Sequence, residues 1–406
     1  MSRVRKAKGG STGAAAVASD WSAYVFGVGA VWLAWQIMIT PLLDRAPLDL
    51  AVRLAPGSAS VLTRAARDAY EDKRYEDALA LAQEALVPAP FSIDALNVAG
   101  LSEAALGRED RADEILTLSG NFSLRNDPAH TWLIQRRLRQ GDLASAVAHA
   151  ETLARRQTPA APQVYKLFTA LAQADPRGLQ LIARLLSVNP PWRTSYLADL
   201  RKTTEGNAIL AGYIIALQPG KGAATDDELI LTYRSWLNEG RLGLMMAVRD
   251  RIGRPAARDG VVNGDFSGPE GLAPFAWSLE AGDGSAEITR DDANEPALRV
   301  THNGFSSFIA ARQLVQVGQG PHRLSFRSWS ETPATASGLV SLTCYGSNQP
   351  FASAPLSSTA TWADSAITFT TPVNCPMQWL SVTFAGGDRR RESIGWLDSL
   401  SITRPS

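Results

Sequence analysis

The chain is short of the residues that most catalytic and metal-holding centres need. Its 406 residues include only two cysteines, Cys344 and Cys375, and four histidines. Two thiols are too few for a zinc cage. His130 and His149 have no second histidine or carboxylate at metal-binding spacing and read as surface or packing residues. An excess of charge of one sign is also missing, with 40 Lys and Arg against 40 Asp and Glu. The part beyond residue 43 offers no concentrated basic surface, which argues against a nucleic-acid partner. There is no P-loop, dinucleotide fingerprint or H-E-x-x-H. Glycoside hydrolysis would need two facing carboxylates, for which Glu331 and Glu392 are a conceivable pair. The expectation is a protein that is not an enzyme and needs no cofactor.

What is present begins with an uncharged run from Trp21 to Leu43, behind Arg3, Arg5, Lys6 and Lys8. At about 1.5 Å of rise per residue, such a run is long enough to cross a hydrocarbon core of about 30 Å. Four cations before it and no dense basic cluster after it place the N-terminus in the cytoplasm by the positive-inside rule. The expectation is a cytoplasmic basic tail over 1–20, a transmembrane helix over 21–43, a linker over 44–57 and everything beyond on the far side. A cleavable signal peptide is the rival, although its apolar core is shorter and ends at small residues. Both cysteines fall on the far side, so they fit one disulfide in an oxidising compartment, with two buried free thiols as the alternative.

The middle of the chain repeats. Lys73-Arg74-Tyr75-Glu76-Asp77-Ala78, Gly107-Arg108-Glu109-Asp110-Arg111-Ala112 and Gly141-Asp142-Leu143-Ala144-Ser145-Ala146 share one phase. Gly107 and Gly141 suit the turn inside a helical pair, where a positive φ is cheap for glycine. The alanine that follows lets the second helix approach the first. Apolar residues recur at helical spacing from Ala78 to Leu86 until Pro88 and Pro90 end the helix. The period and the stretch Tyr70, Tyr75, Ala78, Leu81, Ala85, Pro88 resemble the tetratricopeptide repeat, with Lys73 standing where a glycine is usual. Helical patterns continue beyond Pro159, and residues 58–254 read as an α-solenoid of five or six degenerate helical pairs. Solenoids present a groove to a protein partner or serve as spacers.

After Gly253 the pattern changes to short alternating runs separated by Gly, Ser and Thr, the signature of an antiparallel sandwich over 255–406. Val262-Asn263-Gly264-Asp265-Phe266-Ser267 with Trp277, the run His322 to Arg327, and Trp396-Leu397-Asp398-Ser399-Leu400-Ser401-Ile402 resemble the opening, middle and closing strands of carbohydrate-binding jelly-roll modules. That resemblance implies a glycan ligand and, in some such modules, a calcium ion between the first and last strands. Asp265 and Asp398 are the candidate ligands for it, with turn capping as the alternative. The acidic cluster Asp291, Asp292, Asn294 and Glu295 reads as a solvated loop. Sugars are recognised by aromatic faces and planar polar groups. Trp329, Tyr345 and Trp362 are the candidate platforms, with Arg327, Asn348, Gln349 and Arg389 as polar partners. Phe266, Phe326, Phe369, Trp379 and Trp396 are expected between the sheets.

Together these features make an α + β multidomain chain: transmembrane helix, tetratricopeptide-like solenoid and C-terminal jelly roll. The implied role is a bacterial inner-membrane, single-pass, periplasmic scaffold in exopolysaccharide or envelope polysaccharide assembly or export. Its solenoid would hold a protein and its sandwich would hold a polysaccharide. The alternative is a purely structural or protein-binding sandwich serving envelope, division or secretion machinery.

Overall fold

The computed structural model describes residues 24–32, 34, 45–156, 161–218, 220, 222–253, 260–268, 271–387 and 391–405. The expected basic tail, most of the 21–43 run, the expected 254/255 boundary and Arg389 lie outside these residues. Residues 24–32 and 34 are helical. Among the described residues no helix is long and apolar enough to cross a membrane. The chain divides into two compact units, Met1–Val164 and Tyr165–Ser406. The expected solenoid therefore spans the division, and its last helices belong with the sandwich.

In the first unit, α1 (Leu48–Leu54) precedes three helical pairs: α2 (Ala59–Glu71) with α3 (Tyr75–Leu86), α4 (Ile93–Ala105) with α5 (Glu109–Phe122), and α6 (Asp127–Arg139) with α7 (Leu143–Arg155). Ala78, Ala112 and Ala146 are fully buried at the same position of successive second helices. The turn inside each pair is built the same way. Lys73, Gly107 and Gly141 have φ of 63°, 80° and 74°. The next amide reaches back five residues, Arg74 N to Ala69 O at 2.8 Å, Arg108 N to Glu103 O at 2.9 Å and Asp142 N to Arg137 O at 2.9 Å. This is the Schellman closure of a helix end. Between the second and third pairs, Asn97, Ser119 and Asn126 form a buried network with hydrogen bonds of 2.7–2.9 Å. Asn126 also caps α6 by accepting from Ala129 N.

Six more helices follow: α8 (Ala161–Ala174), α9 (Pro176–Ser187), α10 (Arg193–Leu200), α11 (Thr204–Ala216), α12 (Asp226–Asn238) and α13 (Leu242–Arg251). The repeat loosens here, since α9 and α10 both pack on α11. Large rings take the place of small alanines: Phe168 meets Trp192 and Tyr196 with centroids 5.2 Å and 5.7 Å apart. Arg193, 3% exposed, donates to Glu228 and to the carbonyls of Leu186, Gly222 and Ala223, so the buried charge is paired and fully hydrogen-bonded. The α12–α13 turn repeats the earlier closure, with Gly240 at φ 69° and Arg241 N to Trp236 O at 2.8 Å.

The C-terminal part is an antiparallel sandwich of two five-stranded sheets, in orders β1-β4-β9-β6-β7 and β2-β3-β10-β5-β8. The strands are β1 (Ser278–Leu279), β2 (Gly284–Arg290), β3 (Pro296–His302), β4 (Phe308–Val315), β5 (Gly320–Ser330), β6 (Gly338–Cys344), β7 (Pro350–Pro355), β8 (Ala363–Thr371), β9 (Gln378–Phe384) and β10 (Ser393–Thr403). Alternate residues point inward, and Leu298, Val300, Leu324, Phe326, Val340, Leu380, Val382, Phe384 and Leu397 close the core with Phe266 and Phe369. Two expected core residues are not there. Trp379 and Trp396 lie on the outer sides of the two sheets, where Trp379 pairs with Leu314 across β4 and β9, and Trp396 with Trp329 across β10 and β5. Cys344 and Cys375 form a disulfide, with Cα atoms 5.3 Å apart.

Candidate functional site

The outer side of sheet β2-β3-β10-β5-β8 gathers Trp329, Trp362 and Arg327 from the residues expected to meet a ligand. On β5 the inward residues Leu324, Phe326 and Ser328 are buried, which leaves Arg323, Ser325, Arg327 and Trp329 facing out. On β10 a bulge between Asp398 and Ser401 changes the parity. Ser399 sits there at φ 56° and is exposed. Both Asp398 oxygens hold it, one accepting from Ser399 N at 2.6 Å and the other from its hydroxyl at 3.2 Å. Trp396 and Asp398 consequently face out beside Trp329 and Arg327.

Five side chains line up across the strands. Arg299 lies over the Trp396 ring at 5.8 Å, Trp396 stacks on Trp329 at 5.7 Å with planes 11° apart, Trp329 meets the edge of Trp362 at 6.3 Å, and Arg327 lies over Trp362 at 4.7 Å. Carboxylates fix this ladder. Arg327 pairs with Asp398 through Nε at 2.7 Å and also through its terminal nitrogen. The Trp362 indole donates to Asp291 at 3.1 Å, and the Trp396 indole donates to Glu331 at 2.7 Å. Glu331 also accepts from Arg299 at 3.1 Å. Burial pushes the Glu331 carboxyl up, but the bonds from Trp396 and Arg299 outweigh it and hold the group below the usual carboxylate value. A general acid for glycoside hydrolysis needs the opposite shift.

Beside the ladder the same face has a hollow. Its floor is Ser325 and Ala366, and Arg323, Arg327, Asp364 and the bulged Ser399 rim it. Small residues below and charged groups around, with Arg327 linking the hollow to the half-buried Trp362 indole, form a surface suited to a hydroxyl-rich, flat-faced ligand.

The third candidate platform, Tyr345, is elsewhere. It follows β6 in the other sheet, and its hydroxyl donates to the Leu237 carbonyl of α12. The candidate calcium ligands take local partners: Asp265 accepts from the Ser267 amide and hydroxyl, and Asp398 holds Arg327 and Ser399. The opening motif and the closing strand are tied directly by Leu400 N to Gly264 O at 2.9 Å. Among the described residues no group of three or more His, Cys, Asp or Glu is gathered that could hold a metal. The opening motif is a structural clasp, in which Phe266 packs on Trp277 at 5.6 Å and the Trp277 indole donates to Asn263 O at 3.0 Å.

Arg299, Asp291 and Glu331 were not expected at the ladder. For Arg299 the signal was its outward parity in β3, in register with Trp396. Asp291 reaches Trp362 from the turn expected to be merely solvated. His130 and His149 also come together, with Nδ1 atoms 3.1 Å apart, which a spacing argument could not find.

No protein-family model matches the chain, and no curated protein matches it. Solved structures resemble parts of it. A carbohydrate-binding module described under "CBM4 structure and function" is 15% identical, covering 36% of this chain and 99% of that one, with a TM-score of 0.28. TmCBM61, solved in complex with β-1,4-galactotriose, is 18% identical over 35% and 96%, with a TM-score of 0.26. Pseudomonas aeruginosa pilF is 14% identical over 55% and 88%, with a TM-score of 0.27. With scores this low, the architecture rests on the strands and helices of the chain itself.

Proposed function

We propose that this chain is a non-catalytic scaffold whose sandwich binds glycan and whose helical repeats hold a protein partner. The observation that carries the reading is the outer face of sheet β2-β3-β10-β5-β8, where Arg327 lies over the Trp362 ring, which Trp329 meets in turn, and also lines a hollow floored by Ser325 and Ala366. Aromatic surface next to planar hydrogen-bonding groups recognises a pyranose. The paired carboxylates hold those groups in place before a ligand arrives, which lowers the ordering cost of binding.

The context follows from the sequence. The uncharged run from Trp21 to Leu43 behind four cations motivates a membrane anchor with the bulk in the bacterial periplasm, and the Cys344–Cys375 bond suits an oxidising compartment. A scaffold at that place, with one protein-binding and one glycan-binding part, suits exopolysaccharide or envelope polysaccharide assembly or export. One observation favours a second reading, a sandwich that is structural or binds protein: every ring and charge of the ladder already has an internal partner. A glycan array probed with the full-length chain separates the two. Retention on a polysaccharide that Trp362→Ala or Arg327→Gln abolishes supports glycan binding, and no retention on any polysaccharide leaves the second reading.

A further inference from the structure

Trp379 and Tyr345, on the sheet opposite the ladder, line a different cavity. Strand β9 buries Leu380, Val382 and Phe384, so Trp379 points out. Arg312 lies over its ring at 5.0 Å and pairs with Glu280 at 3.3 Å. Helix α12 forms the facing wall with Arg234 and Leu237.

The walls are fixed. The Tyr345 hydroxyl donates to Leu237 O, Phe275 packs edge-on against Tyr233 of α12 at 5.8 Å, and the Arg249 guanidinium of α13 lies 3.3 Å from the Phe275 ring centroid. The cavity thus exists before any ligand arrives. Its charges do not cancel. Glu280 neutralises Arg312, whereas Arg234 is exposed and makes no ion pair or hydrogen bond among the described residues. The cavity presents one uncompensated guanidinium opposite an indole, with Asn238, Ser278 and Glu280 as further polar lining.

We propose that this cavity is a binding site for an acidic sugar, the hexuronic acid unit of a polysaccharide. The planar fork of Arg234 matches a carboxylate in two parallel hydrogen bonds. The carbon-bound hydrogens of the pyranose lie on Trp379. The Glu280 carboxylate, the Asn238 amide and the Ser278 hydroxyl receive the sugar hydroxyls, which a peptide carboxylate would not supply. The proposal shares with the preceding reading only that the ligand is a glycan, and uses no residue of the Arg327 face.

The test is calorimetric titration of the full-length chain with a linear oligogalacturonate, its carboxyl-reduced neutral counterpart and a glutamate oligomer of equal charge. The oligogalacturonate should bind about tenfold or more tightly than the reduced form, and Arg234→Gln should erase that preference. Arg234 is exposed, so its replacement leaves the fold intact, and Trp379→Phe, which keeps a ring, should weaken binding less than Arg234→Gln. Equal binding of acid and reduced forms, an unchanged preference in Arg234→Gln, equal binding of the glutamate oligomer, or no binding at all overturns the proposal. Neutral-glycan binding lost on Trp362→Ala, with no preference for acid, overturns this proposal while upholding the earlier reading.

Discussion

Trp329 and Trp396 stand directly opposite each other on β5 and β10, with ring centroids 5.7 Å apart and planes 11° from parallel. Trp396 is only 6% exposed although it faces away from the core. Its cover is Trp329 on one side and Arg299 on the other. Trp329→Ala therefore uncovers a second indole and should lower stability by about 2 kcal/mol, whereas Trp362→Ala, at the ladder's end, should lower it by about 1 kcal/mol. Urea denaturation followed by tryptophan fluorescence checks the order, and equal losses would contradict the ladder.

Lys73 holds the turn position that glycine fills at 107, 141 and 240, with φ of 63°. The left-handed region costs an ordinary residue about 1–2 kcal/mol, and glycine's larger unfolded-state entropy takes back part of the gain. Lys73→Gly should raise stability by about 0.5–1 kcal/mol, read as a higher thermal midpoint. A lower midpoint would mean that the lysine side chain contributes more than the turn strain removes.

His130 and His149 meet at their Nδ1 atoms, and burial is the largest cause holding both below the usual imidazole value, with the His130 charge adding to it at His149. A base whose folded pKa is depressed binds protons more readily when unfolded. The stabilising contribution is complete above about pH 6.5 and is lost as pH falls through the folded values. The thermal midpoint should fall as pH drops from about 6.5 to 5, and His149→Gln should reduce that slope. An unchanged slope in the variant would contradict the account.

The Cys344–Cys375 bond closes a loop of 31 residues between the end of β6 and the segment before β9. Chain-entropy arguments assign such a loop about 3–4 kcal/mol. Replacing both cysteines by alanine should lower sandwich stability by about that amount in urea, and no change would show that the unfolded chain is not constrained there.

Much of this architecture is legible in the chain. The 34-residue phase places three buried alanines, and the glycines between them mark turns that adopt positive φ. The sandwich strands follow from the alternation of apolar and polar residues. The misplacement of Trp396 has a definite cause. Counting back in twos from the buried Ile402 and Leu400 puts Asp398 and Trp396 inside, but the bulge at Ser399 inserts one residue and reverses their side. Trp379, expected inside, faces out by the parity that the buried Leu380 and Val382 set. The pairing of distant residues, such as Asp291 with Trp362, depends on loop paths that no periodicity encodes.

Titration of a glycan retained on the array into the full-length chain with 15N-labelled tryptophan tests the central claim most directly, because each indole N–H reports its own surroundings. The account predicts saturable shifts of the Trp329 and Trp362 indole signals at one common affinity, lost in Arg327→Gln. Binding that leaves both signals unmoved, or that survives unchanged in Arg327→Gln, would contradict a glycan site on that face.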